Sequence, residues 1–293
     1  MMLRLLSWAW FGTVLALGGE AAVAQSSVVY CHDVARQTVS RMLAHKCDGE
    51  VVSETRAAEI KAARIQRMQR ALKGGPPPLV PDRELISVGT AFFVAADGKL
   101  LTNKHNVDKC DVNTVETTTG EQRRAQVLGV LERYDLALLA IDLAAPGTAA
   151  FRNGPGMRIG SRADLVGYPT QGIPPRKPFY TEGEIYRPEG TTIAASRFFV
   201  RGDVRPGNSG SPVLDETGHV IGIIHAKFNT AAIYQQTGKV MPDIGVAVRN
   251  RQIFDFLDRH KVRYQTGESV DVLDRQMAFD AAKPFVARVG CWR

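Results

Sequence analysis

The sequence lacks the patterns that would assign it to several common functional classes. It has no C-x-x-C pair and no H-E-x-x-H, and its six histidines are scattered, so we expect neither a metal site nor another cofactor. It also lacks a nucleic-acid-binding motif and any run of basic residues interleaved with aromatic ones, so no nucleic-acid partner is expected. After residue 24, no apolar run is long enough to cross a bilayer.

The first 24 residues have the pattern of a secretory signal peptide. Arg4 supplies a positive start, Leu5 to Leu17 forms a short apolar run, and Ala22-Val23-Ala24 is an A-x-A cleavage site. We therefore predict that residues 1–24 are a signal peptide and that the mature protein is secreted or periplasmic, with no membrane span after the signal is removed. An uncleaved membrane anchor is the alternative.

The remaining chain is large enough for one or two globular units. It belongs to a sequence of 293 residues, 44% of them hydrophobic, with a formal net charge of +7. Residues 25–75 contain nine Lys and Arg residues against five Asp and Glu residues. We interpret this local excess as a solvated basic face, because no nucleic-acid motif accompanies it.

Residues 25–75 are predicted to form a helical arm. Two helices are expected, over Cys31 to Leu43 and over Ser53 to Leu72, with Ser53 as the N-cap of the second. The second helix carries an apolar stripe at steps of three and four residues: Ala58, Ala62, Ile65, Met68 and Leu72. Such a stripe needs a partner, either the rest of the chain or a second copy, so a homo-oligomer through the arm is possible on this pattern.

A linker over residues 76–84, rich in proline, precedes a region in which strand patterns dominate. Short apolar strands recur from Leu85 to Val248, including a hairpin at Asp97-Gly98 and a strand over Asp164 to Gly167 that starts the second set. The segment 144–160 is predicted to cross between two halves, and Asn250 to His260 to form a helix. We therefore predict an all-β domain over residues 85–262 and a C-terminal extension over residues 263–293.

The stretch from Asp203 to Val213 contains a serine, Ser209, between two glycines in a tight polar segment. Such a serine is either an ordinary turn residue or a nucleophile beside backbone N–H groups that can bind an oxyanion. Two upstream residues favour the nucleophile. His105 ends a strand-like segment, and Asp135 precedes the apolar run Leu136 to Leu139.

These segments together resemble a known family. G-T-A-F-F-V, T-N-K-H, D-L-A-L-L, P-G-N-S-G-S-P and V-I-G-I-I occur in this order between residues 85 and 260, as in the chymotrypsin-like serine proteases. The resemblance is strongest to bacterial trypsin-like peptidases, above all the Deg and glutamyl-endopeptidase branches. It implies two six-stranded β-barrels with a C-terminal helix. Deg proteases usually carry PDZ domains, for which the segment after residue 260 leaves no room.

The resemblance also implies roles for individual residues. His105 would act as the base for Ser209, Asp135 would orient His105, and the N–H groups of Gly207 and Ser209 would bind the oxyanion during hydrolysis of protein or peptide substrates. The alternatives are a catalytically silent relative that binds proteins, and an assembly module built on the arm. Three residues depart from the family pattern or its common form: Lys104, Asn106 and Asn208.

The primary specificity pocket is expected to be lined by Asp203 and Val204 before the nucleophile and by His225 and Ala226 after it. A small aliphatic preference is favoured by Val204 and Ala226, and a basic one by the position of Asp203, six residues before Ser209. An acidic preference remains as a third reading. His225 could instead lie behind Asp135.

Four cysteines allow three pairings in an exported chain. We favour Cys31–Cys47, because both lie in the arm on either side of its turn. Cys110–Cys291 then remains, and would tie the end of the chain to the region just after His105.

Overall fold

The computed structural model describes residues 27–34, 38–73, 79–154, 158–170, 177–187, 195–227, 243–268 and 270–293. The predicted signal peptide, residues 1–24, lies outside the described residues, as does the first part of the predicted linker. The chain divides into two compact units, residues 1–69 and 70–293. Among the described residues, no helix is both long enough and apolar enough to span a membrane.

The smaller unit contains a three-stranded antiparallel sheet. Its strands are β1 (Val28–Asp33), β2 (Thr38–Leu43) and β3 (Glu50–Val52), in the order β2-β1-β3. The helix predicted over Cys31 to Leu43 is therefore wrong, and the arm is not a helical hairpin. The Leu, Met, Ala and Arg residues of this segment favour a helix, but cross-strand pairing with β3 and burial of Cys31 override that propensity.

One helix, α1 (Glu54–Lys73), follows β3. The Ser53 hydroxyl accepts a hydrogen bond from Arg56 N at 3.1 Å, so the predicted N-cap is confirmed. The buried face of α1 contains Ala57 and Ile60. Ala58, Ala62 and Ile65 of the predicted stripe are exposed and so lie off this buried face, whereas the side chains of Met68 and Leu72 lie outside the described ones. The Cys31–Cys47 disulfide joins β1 to the segment before β3, with the two Cα atoms 5.5 Å apart.

The larger unit is mostly β-structure. Its first barrel uses strands β4 (Leu85–Ala95), β5 (Lys99–Asn103), β6 (Val112–Thr117), β7 (Gln122–Leu131), β8 (Leu136–Ala140) and β18 (Val286–Trp292). They form a closed barrel in the order β18-β4-β5-β8-β7-β6. Its interior is filled by large apolar side chains such as Phe92, Leu101 and Leu138, all fully buried.

The last strand of the chain completes this first barrel. β18 pairs with β4 along one edge and with β6 along the other. The predicted boundary after residue 262 is thus corrected, because the segment 263–293 contributes a barrel strand instead of an appendage. Cys110 and Cys291 are bonded, with Cα atoms 5.3 Å apart, and attach β18 to the segment that follows His105.

The second barrel is nearly closed. Its strands are β10 (Asp164–Gly167), β11 (Phe179–Thr181), β12 (Gly183–Tyr186), β13 (Arg197–Gly202), β14 (Pro212–Leu214), β15 (Val220–Lys227) and β16 (Ile244–Arg249). They are ordered β11-β10-β14-β15-β16-β13-β12, and a bridge between Arg162 and Glu184 brings the two ends together. The expected crossover segment contains β9 (Ala150–Arg152), which pairs with β15.

The chain returns from the second barrel to the first through residues 250–293. Helix α2 (Asn250–Arg259) buries Ile253, Phe256 and Leu257, which confirms the predicted C-terminal helix. Strand β17 (Gln265–Gly267) then pairs with β9, and helix α3 (Arg275–Ala282) leads into β18. Leu273 N donates to Glu216 O at 2.9 Å, so this returning segment is fastened to the second barrel on its way.

Candidate active site

His105 and Asp135 meet because the strands that carry them are neighbours. His105 lies in a single 3₁₀ turn after β5, and Asp135 directly precedes β8, whose Leu136 pairs with Asn103 of β5. Asp135 has a left-handed backbone, with φ of 55°. Its carbonyl oxygen accepts hydrogen bonds from Lys104 N and Asn103 Nδ2, both at 3.0 Å, which stabilise this uncommon conformation.

The Asp135 carboxylate holds His105 at two points. Oδ1 accepts a hydrogen bond from the His105 backbone N–H at 3.0 Å, and Oδ2 lies 2.5 Å from the ring atom Nδ1. A carboxylate can only accept, so Nδ1 carries the proton of a neutral ring and Nε2 is left as the proton acceptor. The His105 side chain is 46% exposed, so the ring is accessible from solvent.

Lys104 does not compete for this pair. Its ammonium group lies 2.8 Å from Glu132 Oε2 and 3.7 Å from Asp108 Oδ2. The hydrogen bond to Glu132 is the main reason that the pKa of Lys104 is raised above its ordinary value. This departure from the family pattern therefore places a solvated, paired lysine beside the histidine.

The loop that carries Ser209 has its carbonyl oxygens fixed. Pro206 O accepts from Thr170 N at 2.6 Å, and Asn208 O accepts from Ser211 N at 2.8 Å. A trans peptide directs its C=O and N–H groups to opposite sides, so the N–H groups of Gly207 and Ser209 point away from the two donors, Thr170 N and Ser211 N. Among the described residues, no backbone carbonyl accepts from either N–H group.

Gly207 is required at its position on steric grounds. Its φ is +93°, and a Cβ atom there would lie 2.2 Å from Tyr168 O. The tight turn therefore excludes a side chain at the first of the two unbonded N–H groups.

The two barrels meet at the loop that carries Ser209 through a buried polar network. Thr90 N donates to Ser209 O at 2.9 Å, and the Thr90 hydroxyl donates to Gly207 O at 2.7 Å. Asn106 Nδ2 donates to the same Ser209 oxygen at 2.9 Å. Sequence reasoning did not identify Thr90, because a threonine in a strand carries no signal of the carbonyl groups that tertiary folding brings to it. Asn106 was noted only as a departure.

The structure thus brings the turn of His105, the carboxylate of Asp135 and the loop of Ser209 to one junction between the barrels. Ser209 is half-buried. Within the described part of the chain, the ring of His105 and the hydroxyl of Ser209 are not joined by a hydrogen bond. Such contacts are often long in unliganded hydrolases and tighten when substrate binds.

The residues predicted to line the specificity pocket separate into different environments. Val204 is 2% exposed and packs in the core of the second barrel, beside Gly245, so the expectation that it lines an open pocket is wrong. Asp203 is exposed and pairs with Arg205, whose Nε lies 2.8 Å from Oδ1. Its hydrogen bond to Arg205 is the main cause of a lowered pKa for Asp203. Ala226 is half-buried on β15.

His225 is half-buried on β15. Its ring Nε2 is buried and has no hydrogen-bond partner among the described residues. Burial lowers its pKa, the charges of Arg197 and His105 lower it further, and the charge of Asp135 opposes them.

Comparison with known proteins assigns this region. The family model described as a trypsin-like peptidase domain matches residues 89–223, which include His105, Asp135 and Ser209. The chain carries a trypsin-like peptidase domain. It is 29% identical over 179 residues to a protein of Pseudomonas savastanoi named "Probable periplasmic serine endoprotease DegP-like", an alignment covering 58% of this chain and 35% of that one.

Other relatives extend the match. The chain is 27% identical over 215 residues to the uncharacterised protein y4bJ of Sinorhizobium fredii, covering 73% of this chain and 34% of that one. The chain spans about a third of the length of these curated relatives. Among solved structures, "HtrA-type protease AlgW with decapeptide" matches with 27% identity and a TM-score of 0.48 over 58% of this chain and 50% of that one.

Proposed function

We propose that the chain is an exported serine endopeptidase that hydrolyses peptide bonds with His105, Asp135 and Ser209. The observation that carries this proposal is that the Asp135 carboxylate accepts hydrogen bonds from both the backbone N–H and the ring Nδ1 of His105. These bonds lie at the junction that also contains the Ser209 loop. Export is supported by the signal-like residues 1–24, by two disulfides and by relatives named as periplasmic.

The reaction follows from the proton positions. Nε2 of His105 takes the proton of the Ser209 hydroxyl as Oγ attacks the peptide carbonyl carbon, and the carbonyl oxygen becomes an oxyanion. The unbonded N–H groups of Gly207 and Ser209 receive that oxyanion, each worth about 3 kcal/mol of transition-state stabilisation. His105 then protonates the leaving amine, and in the second half-reaction it activates the water that hydrolyses the acyl-enzyme. Asp135 stabilises the imidazolium in both halves.

A catalytically silent, protein-binding relative is the second candidate. It is favoured by the absence of a hydrogen bond between the His105 ring and the Ser209 hydroxyl in the described residues. The two candidates make opposite predictions for an active-site-directed reagent, because only an activated serine is phosphonylated.

The deciding experiment treats the purified mature chain with a fluorophosphonate and locates the adduct by mass spectrometry. Labelling at Ser209, lost in Ser209→Ala and His105→Ala, supports the peptidase. Turnover of peptide substrates should fall by about four to six decades in the same two variants. Ser87→Ala, at an exposed serine on β4, is the matched control and should be labelled at Ser209 as the wild type is. An unlabelled wild type would favour the silent relative.

A further inference from the structure

We infer that Asn106 is a positioning residue that couples the turn of His105 to the loop of Ser209. The inference rests on the proposed function, in which these two residues act as base and nucleophile. Asn106 immediately follows His105 in the same 3₁₀ turn, yet its side chain is buried and reaches the opposite barrel. Only 6% of the residue is exposed, so it does not face the substrate.

The orientation of the Asn106 amide is determined by its neighbours. Nδ2 lies 2.9 Å from Ser209 O and 3.0 Å from Thr102 Oγ1. Ser209 O is a carbonyl oxygen and can only accept, and the Thr102 hydroxyl already donates its proton to Thr90 O at 2.6 Å. Two acceptors face the amide, so the nitrogen must be directed toward them.

This contact fixes the peptide plane between Ser209 and Gly210. Its carbonyl oxygen is held from the first barrel by Asn106 and Thr90, and its N–H donates to Ile224 O of the second barrel at 2.9 Å. A planar peptide bound at both ends cannot rotate without breaking one of these bonds. The position of the Ser209 backbone, from which the hydroxyl side chain extends, is therefore fixed relative to the turn that carries His105.

A neighbouring glycine leaves the space that the Asn106 side chain occupies. A Cβ atom on Gly89 would lie 2.3 Å from Asn106 Cγ, 2.4 Å from Nδ2 and 2.5 Å from Oδ1. The three nearest atoms to that position all belong to Asn106. A methyl group on residue 89 would consequently displace the amide from Ser209 O.

Two substitutions perturb the same contact by different routes. Asn106→Ala removes the amide, and Gly89→Ala pushes it aside. Each should lower kcat by about 10- to 100-fold, because small displacements of reacting groups reduce rates by such factors. KM should stay within about twofold, since the buried amide does not touch substrate.

The double variant provides the sharper measurement. With the Asn106 side chain gone, a methyl group at residue 89 meets none of the atoms that it would otherwise strike, so Gly89→Ala/Asn106→Ala should be no slower than Asn106→Ala alone. Strong non-additivity of this kind is the signature of two changes that act through one contact. Additive losses in kcat would overturn the inference.

A matched control separates positioning from stability. Thr114→Val removes another buried hydrogen bond of the same barrel, the one that Trp292 Nε1 of β18 donates to Thr114 Oγ1 of β6 at 2.8 Å. It should lower the melting temperature and leave kcat unchanged. If Thr114→Val lowers kcat as much as Asn106→Ala at an equal loss of melting temperature, the role of Asn106 is structural only and the inference is refuted.

Hydrogen–deuterium exchange of residues 203–211 tests the coupling without any need for activity. Amides in this loop, such as Gly210 N and Ser211 N, are hydrogen-bonded. They should exchange about tenfold faster or more in Asn106→Ala and remain protected in Thr114→Val. Unchanged exchange in Asn106→Ala would contradict the coupling. A wild type that fluorophosphonate does not label would instead contradict the proposed function, and the exchange result would still decide whether the two loops are coupled.

Discussion

Reduction of the Cys110–Cys291 disulfide should destabilise the larger unit more than reduction of Cys31–Cys47 destabilises the arm. The first bond closes a loop with a sequence separation of 181 residues and the second a loop of 16. In the chain-entropy model a cross-link restricts the unfolded chain more strongly as the loop becomes longer. The two loops then correspond to about 5 kcal/mol and about 3 kcal/mol of stability at 25 °C.

The Cys110–Cys291 disulfide, which closes the larger loop, lies close to the candidate site along the chain and in the barrel. Cys291 is 2% exposed and lies on β18, which pairs with β4 and β6. Cys110 lies five residues after His105. Loss of the bond frees the last strand to leave the barrel that holds His105 and Asp135, so activity should be lost at lower denaturant concentrations than in the oxidised protein.

The assay compares denaturant unfolding of three states: oxidised wild type, wild type reduced under denaturant-free conditions, and Cys31→Ala/Cys47→Ala. Reduced wild type keeps every sulfur atom, so its loss of stability measures the loss of the cross-links without the effect of a cavity. Cys31→Ala/Cys47→Ala retains only the Cys110–Cys291 bond, so comparison with the reduced protein isolates the contribution of that bond. Peptide mapping without reduction first verifies the two bonds in the sample. If the reduced protein unfolds with the free energy of the oxidised one, the loop-closure reasoning is wrong for this chain.

Three further predictions concern the site. Asp135→Asn should lower kcat by about four decades while fluorophosphonate still reacts slowly with Ser209; an equal loss in a Glu132→Gln control would show that the effect is not specific to the carboxylate at His105. Burial holds the pKa of His225 in the folded protein below its ordinary value of 6.5. The unfolded chain therefore binds this proton first as the pH drops, and the free energy of unfolding should fall below about pH 6.5. In His225→Gln the melting temperature should fall less over the same pH range, and an identical fall would exclude His225 as its cause. Arg205→Met should release Asp203 and raise kcat/KM for arginine peptides relative to valine peptides by about tenfold, and no change in that ratio would mean that Asp203 does not face the substrate.

Local pattern was sufficient for much of the two barrels. The strand predicted over Asp164 to Gly167 has those bounds in the structure, and the helix predicted from Asn250 ends one residue earlier than expected, at Arg259. In these segments the apolar periodicity, the bounding turns and the final packing all favour the same conformation.

The parts that sequence reasoning missed depend on contacts that are distant in the chain. Strand β18 has no local feature to indicate that its neighbours are β4 and β6, almost two hundred residues earlier. Strand β2 contains Arg41, Met42 and Leu43, whose residue types also favour a helix, and pairing with β1 decides its conformation. Thr90 and Asn106 acquire their roles at Ser209 O only after the two barrels meet.

The specificity pocket illustrates a different limit. Sequence spacing places Asp203 where a basic preference would require an unpaired carboxylate, and the same sequence places Arg205, a possible partner, only two residues away. The structure shows the ion pair, and a second one between Lys227 and Asp243 at 2.7 Å. Position along the chain could identify the carboxylate of Asp203 but could not determine which basic group would pair with it in the folded protein.

The route of the chain explains how the junction is held. It builds five strands of the first barrel, crosses to the second barrel that contains Ser209, and returns through β17 and α3 to end as β18 in the first. The second barrel is thus connected to the first by covalent chain at both of its ends. The bonds from Thr90 and Asn106 to the nucleophile loop act inside this double connection. Two tethers and a buried polar network therefore oppose sliding of one barrel past the other, and together they limit how far the Ser209 loop can move relative to the turn of His105.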